Sequence, residues 1–311
     1  GWGVALRRPR VPINRGSGIS IGPGIVWGSG IGGPGITDRS AASFSGILDQ
    51  LSTAPVAAWS VARVLKTDWL ENALIRLRRA SDNAESDFGA DANGDLDTAA
   101  IATWIGGSSA TIVRVYDQSG NGVNLLQTTA GSQLPYSATA IGGRPGGGGA
   151  ANRLLTATGA AIDNLPTGGM ALHCVSRTGA AVSNFQRARK NWVGNGWRML
   201  PYFSVTDGGG SGRDSSVYAY ATDTDYVDTL SFSGAYTGTP LTWRINGSAY
   251  AATGPSGGTG FADDSAQTFW AFFTDSIAAQ QGSEMVLFAG ALSAGDVQTL
   301  NDDASAYYGT V

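Results

Sequence analysis

The chain has 311 residues, of which 14% are charged, with a formal net charge of −4. That balance excludes nucleic acid as the main partner, because phosphate binding needs a basic surface, and a hydrophobic share of 42% with nine Trp excludes a disordered chain. The single cysteine, Cys174, excludes an internal disulfide framework, and no apolar run reaches the roughly 18 residues a membrane helix needs.

Residues 1–54 read as an extended Gly-rich arm. A Gly-Ile step recurs at Gly18-Ile19, Gly24-Ile25, Gly30-Ile31 and Gly35-Ile36. The spacing is not that of collagen, and Gly at this density destabilises a helix by about 1 kcal/mol per position. So Gly-rich a segment has too little side-chain volume to bury its own apolar residues. Ile19, Ile25, Trp27, Ile31 and Ile36 are therefore expected to lie against another copy of the chain or a neighbouring subunit. Arg7, Arg8, Arg10 and Arg15 cluster ahead of them; an acidic partner and a solvated tail end fit them equally.

A short helix is predicted over 40–51 and a second over 56–65, where apolar residues fall at helical spacing. Ala73–Arg79 alternates apolar and basic residues as a half-exposed strand does. Residues 97–105 form a helix capped by Asp97, and Thr111–Tyr116 is another strand. From Gly122 onward, apolar runs are separated by turn signals: Gly142-Gly143, Gly146–Gly149, Gly208–Gly210, Asn246-Gly247 and Gly257-Gly258. They predict a sandwich of antiparallel sheets, with the folded domain spanning 55–311. Met170–Ser176 is a buried strand carrying Cys174 as an inert thiol. Leu241–Ile245, Asn246-Gly247 and Ser248–Ala251 form a hairpin, Thr268–Thr274 and Glu284–Ala289 are core strands, and 293–308 is a helix capped by Ser293.

Four stretches carry side chains that could meet a ligand. Asn191-Trp-Val-Gly-Asn-Gly-Trp-Arg198 sets Trp192 and Trp197 beside Asn195 and Arg198, ring faces for sugar C–H surfaces with polar groups alongside; core burial of at least one Trp is the other reading. Tyr116-Asp-Gln-Ser-Gly-Asn-Gly122 offers Asp117, Gln118 and Asn121 to sugar hydroxyls, or else Asp117 and Ser119 bond the backbone of their own turn. Tyr218, Tyr220 and Tyr226 with Asp223, Asp225 and Asp228 make a further candidate edge. In Asp91-Ala-Asn-Gly-Asp-Leu-Asp97, Asp91, Asn93, Asp95 and Asp97 stand at alternate positions, as Ca2+ ligands do. That loop lacks the EF-hand's Gly and has Ala102 where its bidentate Glu would stand, so a turn leading into a helix cap is the alternative. No motif requires a cofactor. His173, the sole histidine, lies on a core strand, which argues against a histidine metal site or a catalytic triad.

Four runs in order, Ala58-Trp-Ser-Val-Ala-Arg-Val-Leu65, Ile75-Arg-Leu-Arg-Arg-Ala-Ser-Asp-Asn-Ala-Glu-Ser-Asp-Phe-Gly89, Gly94-Asp-Leu-Asp-Thr-Ala-Ala100 and Val115-Tyr-Asp-Gln-Ser-Gly-Asn-Gly122, carry a family resemblance. Continued by Gln133-Leu-Pro and Gly142-Gly143, this set resembles the catalytic domain of the α-L-arabinofuranosidase B family over roughly residues 56–157. Glu284–Tyr308 is similar to the close of laminin-G-like domains. The resemblance implies a mostly β chain folded as a concanavalin/laminin-G-like antiparallel β-sandwich, or jelly roll. It does not carry the chemistry. The family's enzymes have an adjacent cysteine pair at the active site and a nucleophilic Glu in an Asp-Leu-Glu-Asn stretch. This chain has one Cys, no such stretch, and only Glu71, Glu85 and Glu284. Retaining hydrolysis needs two carboxyl groups about 5–5.5 Å apart; Asp could serve, but no Asp stands in a motif that matches the family's catalytic machinery, so no catalytic residue is assigned.

The same domain occurs in phage and prophage structural proteins without those cysteines. With no apolar leader-like run near residue 1, the leading expectation is a virion protein, a tail fibre or a head spike or decoration, assembled in the bacterial cytoplasm. The arm would join it to other virion subunits or copies of itself, and the sandwich would bind host-surface polysaccharide, with no nucleic acid and no membrane insertion. An active arabinofuranosidase-type hydrolase and a purely structural scaffold or cement protein are the alternatives.

Overall fold

Residues that alternate between apolar and polar build sheets with one buried face, and here two such sheets meet. The computed structural model describes residues 44–150, 153–179, 187–190, 195–199, 201–207, 212–215, 217–234, 241–252, 263–274 and 280–310. The arm residues Ile19, Ile25, Trp27, Ile31 and Ile36 lie outside them, as does Trp192. In chain order the strands are β1 (Ala57–Ser60), β2 (Ile75–Arg79), β3 (Glu85–Phe88), β4 (Ala110–Val115), β5 (Leu125–Leu126), β6 (Leu134–Ile141), β7 (Arg144–Gly148), β8 (Arg153–Ala157) and β9 (Gly169–Arg177). They continue as β10 (Ala188–Lys190), β11 (Asn195–Met199), β12 (Phe203–Asp207), β13 (Gly212–Asp214), β14 (Asp225–Ser233), β15 (Thr242–Ile245), β16 (Ser248–Tyr250), β17 (Phe269–Thr274) and β18 (Gln281–Ala289). The α-helices are α1 (Thr98–Ile105) and α2 (Ala294–Tyr308).

Every pairing is antiparallel. The first sheet runs β16-β15-β14-β9-β18, with β1 and β7 on the far edge of β18 and β6 beyond β7. The second runs β3-β2-β4, then through β5 to β8-β17-β10-β11-β12-β13. Strand β6 belongs to both: its start, Leu134 and Pro135, pairs with β4, and from Tyr136 on it pairs with β7, with a register shift between Ser137 and Ile141. Between the sheets, Trp59, Leu172, Cys174 and Met285 pack against Ile75, Leu125, Leu155, Trp197 and Phe269. The Trp59 ring stacks on Phe269 with centroids 5.5 Å apart. Helix α2, capped by the Ser293 hydroxyl on the Asp296 N–H, covers the outer face of the first sheet through Val297 and Leu300 on Ala171, Val286 and Phe288.

The structure differs from the sequence expectations in four places. Residues 56–65, read as a helix, hold strand β1, which is buried on both faces. Trp59 faces the core and Ala58 lies under α2, so apolar residues run on without the period-2 signature. Over 40–51 the described part is a single 3-10 turn, Ile47–Gln50. Ile47 and Leu48 are buried in the α2 cluster, and the compact unit begins at Ser43 rather than near residue 55. Gly146–Gly148, read as a turn, lies in strand β7. A Cβ on Gly147 would stand 2.5 Å from Ile112 Cδ1, so glycine here permits close approach of strand and core.

The turn before β7 gives a test. Gly142 and Gly143 take φ of 55° and 75°, but only at Gly142 would a Cβ meet an obstacle, the Tyr308 carbonyl oxygen at 1.7 Å. Gly142→Ala is expected to lower the urea midpoint well beyond Gly143→Ala, whose cost is about 1–2 kcal/mol for the left-handed backbone alone. Equal losses would mean that the C-terminus of α2 does not press on this turn.

Candidate glycan-binding face

In antiparallel sheets, directly paired residues share a face. Following the register across the second sheet gives one row: Asp87, Arg76, Arg114, Leu126, Thr156, Trp270, Arg189, Arg198 and Ser204. Their chain neighbours Ile75, Val115, Leu125, Leu155, Phe269, Ala188 and Trp197 are buried in the core, so this row lies on the outer face. From β4 to β11 it spans about 24 Å at the usual strand spacing of about 4.8 Å.

Three guanidinium groups on this face lie over aromatic rings. Arg189 is 3.7 Å from the centroid of Trp270, Arg114 is 5.4 Å from that of Tyr116, and Arg198 is 5.7 Å from that of Tyr202. Arg198 also donates to the Tyr202 hydroxyl at 3.2 Å. Two open hollows sit along the row. One, of about 290 Å³, is lined by Arg189, Gln267, Thr268 and Trp270; the other, of about 300 Å³, is lined by Arg114, Asn124, Leu126, Thr156 and Thr158. The paired residues Thr156 and Trp270 link them. At the β3 end Arg76 donates to both oxygens of Asp87, at 2.8 and 2.6 Å, and Tyr116 donates to the same carboxylate at 2.8 Å. The Arg76 bonds hold the Asp87 carboxyl below its usual range, against the opposing effect of burial.

Several residues singled out in the sequence lie elsewhere. Trp197 is fully buried between Phe203 and Phe269, because the register that turns Arg198 outward turns its neighbour inward. Arg198 is on the outer face, and Asn195 pairs with Asp207. Asp117 is 1% exposed, and its carboxylate accepts the backbone N–H groups of Ala58, Ser119 and Val123, each at 2.9 Å, and the Ser119 hydroxyl at 2.8 Å. Gln118 is also fully buried, accepting from the Leu65 N–H and donating to the Arg63 carbonyl. Asn121 is exposed, with its amide on the Val56 carbonyl at 3.0 Å. This loop ties β4 to β1; Asp117 and Gln118 are structural, not ligand-facing. Of the candidate tyrosine edge, Tyr220 and Tyr226 are buried, and Asp228, fully buried, accepts from Tyr220 and Trp243 and lies 3.1 Å from Arg187, whereas Tyr218 and Asp225 are half-buried and Asp223 is exposed.

The calcium-type loop shows the geometry of its alternative. Asp91 accepts the N–H groups of Asn93 and Asp95, and Asp97 caps α1 through the Ala100 N–H. Asp95 accepts from Tyr307 at 2.8 Å and Arg144 at 3.2 Å. Asp91, Asp95, Arg144 and Tyr307 line a separate polar cleft of about 230 Å³. Among the described residues, no three acidic, His or Cys side chains converge as a metal-ligand group. The glutamates are placed away from any shared cleft. Glu284 is fully buried and held by Arg63, while Glu71 and Glu85 are exposed, Glu71 just after the 3-10 turn Thr67–Trp69 and Glu85 on β3.

Residues 46–162 match the family model for the catalytic domain of α-L-arabinofuranosidase B. An arabinofuranosidase complexed with arabinofuranosyl-α-1,2-xylobiose superposes with a TM-score of 0.61 at 17% identity, over 83% of this chain and 63% of that one. A mutant GH54 α-L-arabinofuranosidase soaked with 4-nitrophenyl α-L-arabinofuranoside gives 0.58, again at 17% identity with 83% and 63% covered. The fold is the arabinofuranosidase sandwich. The chain spans 63% of the length of these enzymes. No curated protein sequence matches it.

Trp270 and Arg189 were not legible as site residues. Phe269-Trp-Ala-Phe-Phe reads as one apolar core run, which hides that Trp270 alone of the first three turns outward. The available signal was the alternation at Arg76 and Arg78, which marks β2 as a strand with one basic face.

Proposed function

We propose that the sandwich binds carbohydrate along the outer face of its second sheet and does not hydrolyse it. The observation that carries this reading is the Arg189–Trp270 stack, which lines one of two open hollows along the row. Sugar rings have apolar C–H faces and hydroxyl edges, and this strip offers aromatic surface with Arg, Asn and Thr groups beside it. The arabinofuranosidase-type hydrolase is the second reading, favoured by the family match and the fold, while Glu284, the only buried glutamate, is held in an ion pair under α2. Incubating the chain with arabinan, arabinofuranosyl-substituted xylan and bacterial surface polysaccharide is expected to give retention of polymer without released sugar. Release of arabinose would overturn the binding reading. Trp270→Ala is expected to weaken retention at least about tenfold, the cost of removing an aromatic anchor.

We extend the reading to a virion component, a tail fibre or head decoration assembled in the bacterial cytoplasm, whose arm attaches it to neighbouring subunits. Support for this comes from the motif resemblance and from the Ile pattern of residues 1–40. Deleting residues 1–40 is expected to leave carbohydrate binding intact and abolish incorporation into particles; normal incorporation would reduce the arm to a linker.

A further inference from the structure

We propose that Lys190 and Asp163 are joined by an intramolecular isopeptide bond, formed when the Lys190 amine condenses with the Asp163 carboxyl while Asp264 carries the protons. Strand β10 alternates, so Arg189 points outward and Lys190 points into the sandwich, beside its paired residues Trp197 on β11 and Phe269 on β17. Those two rings, Ile162 and the lysine itself are all fully buried. A lysine in so apolar a row must be paired.

The pairing supplies the parts of a condensation on one nitrogen. Nζ pairs with Asp163 Oδ1, lies 3.0 Å from Asp264 Oδ1 and donates to the Ile162 carbonyl at 3.0 Å, which uses all three of its donors. Asp163 is the acyl donor: its side chain is 20% exposed, so the oxygen it loses has a way out, whereas Asp264 is fully buried. Asp264 Oδ2 is buried with no hydrogen-bond partner among the described residues, and burial pushes this carboxyl up, which suits a group that must hold a proton. Asn164 fixes the two acids against each other. Its N–H donates to Asp264 Oδ1 at 2.7 Å, and its side-chain oxygen accepts the Asp264 N–H at 2.9 Å. Groups held in this way need little further ordering to react.

The step balances without an oxidant. A C–N bond forms between Nζ and the Asp163 Cγ, and one Cγ–O bond breaks. Of the three ammonium protons, two leave with that oxygen as water and the third stays on the amide nitrogen. Asp264 accepts and returns each of the two and ends unchanged. The product exchanges an ammonium and a carboxylate for an uncharged amide, which removes two charges from a site where an ion pair is costly to hold. The bond closes residues 163–190 into a ring containing β9, the strand between β14 and β18, and ties that ring to β10 of the other sheet. It restricts the unfolded chain as a disulfide does, in a chain with one cysteine.

Denaturing mass spectrometry of the full chain tests this. The mass is expected to fall one water below that of the sequence, and a tryptic digest to hold Leu154–Arg177 joined to Lys190–Arg198. K190Q and D163A are expected at full sequence mass, as is D264N in its soluble, folded fraction. A wild-type chain at full mass would overturn the proposal, and that reading stands even if a variant fails to fold. Water loss that persists in K190Q would also overturn it, by placing the dehydration elsewhere, as in a succinimide at Asp207-Gly208. Lys190 joined to the peptide that holds Asp264, or a complete link in D264N, would overturn the roles given to the two carboxyls.

Discussion

Glu284→Gln is expected to cost about 3–5 kcal/mol of folding free energy, because breaking a buried ion pair strands the remaining charge. Arg63 donates to both Glu284 oxygens, at 2.9 and 3.1 Å, beneath helix α2, and also lies 2.6 Å from Asp303 on that helix. His173 Nε2 lies 3.6 Å from Glu284, and its Nδ1 is 2.8 Å from the Thr229 hydroxyl, to which Asn301 of α2 donates. The pair therefore joins three strands to the closing helix. Burial alone would push the Glu284 carboxyl up, but the charge and hydrogen bonds of Arg63, with His173 beside them, hold it at about 2. A folded-state value below the ordinary 4.5 means the stabilisation is complete above that pH and is lost as pH falls towards 2. The loss over that window is of the order of 3 kcal/mol. Urea unfolding of wild type should show this acid slope, and E284Q should lack it. A variant that loses less than about 1 kcal/mol, with the slope intact, would show that the pair is not what fastens α2.

Asp117→Ala is expected to destabilise the fold by at least about 3 kcal/mol, since it strands two buried N–H groups and one part-buried one at about 1–3 kcal/mol each. Those groups belong to Ala58 in β1 and to Ser119 and Val123 in the loop after β4. The same substitution in a sugar-contacting residue would leave the urea midpoint nearly unchanged and abolish binding. A loss under about 1 kcal/mol with binding gone would return Asp117 to the ligand site.

The two residues show which parts of this molecule the sequence discloses. Strands with one wet face, such as β2 with Arg76 and Arg78, keep their period and were legible; so were the caps Asp97 and Ser293 and the Asn246-Gly247 turn, whose φ angles are 47° and 74°. Strand β1 was not, because both of its faces are covered and periodicity vanishes. The site was harder still. Trp197 follows the polar Asn195-Gly196 and Trp270 stands in an apolar run, yet one register places Trp197 against Phe269 and the other turns Trp270 to the surface. Which tryptophan faces outward depends on pairings among β8, β17, β10 and β11, from segments far apart in the chain. No local pattern contains that information.

The central claim is that carbohydrate lies on the outer face of the second sheet. Hydroxyl-radical footprinting of the full chain, with and without saturating polysaccharide, tests it most directly. Trp270, Tyr116 and Tyr202 are partly exposed on or beside that face, and Tyr307 is partly exposed in the cleft against α2. Protection of Trp270, Tyr116 and Tyr202, with Tyr307 oxidised as in the free chain, is the expected result. Protection of Tyr307 with Trp270 unchanged would place the ligand on the other side of the sandwich and contradict the account.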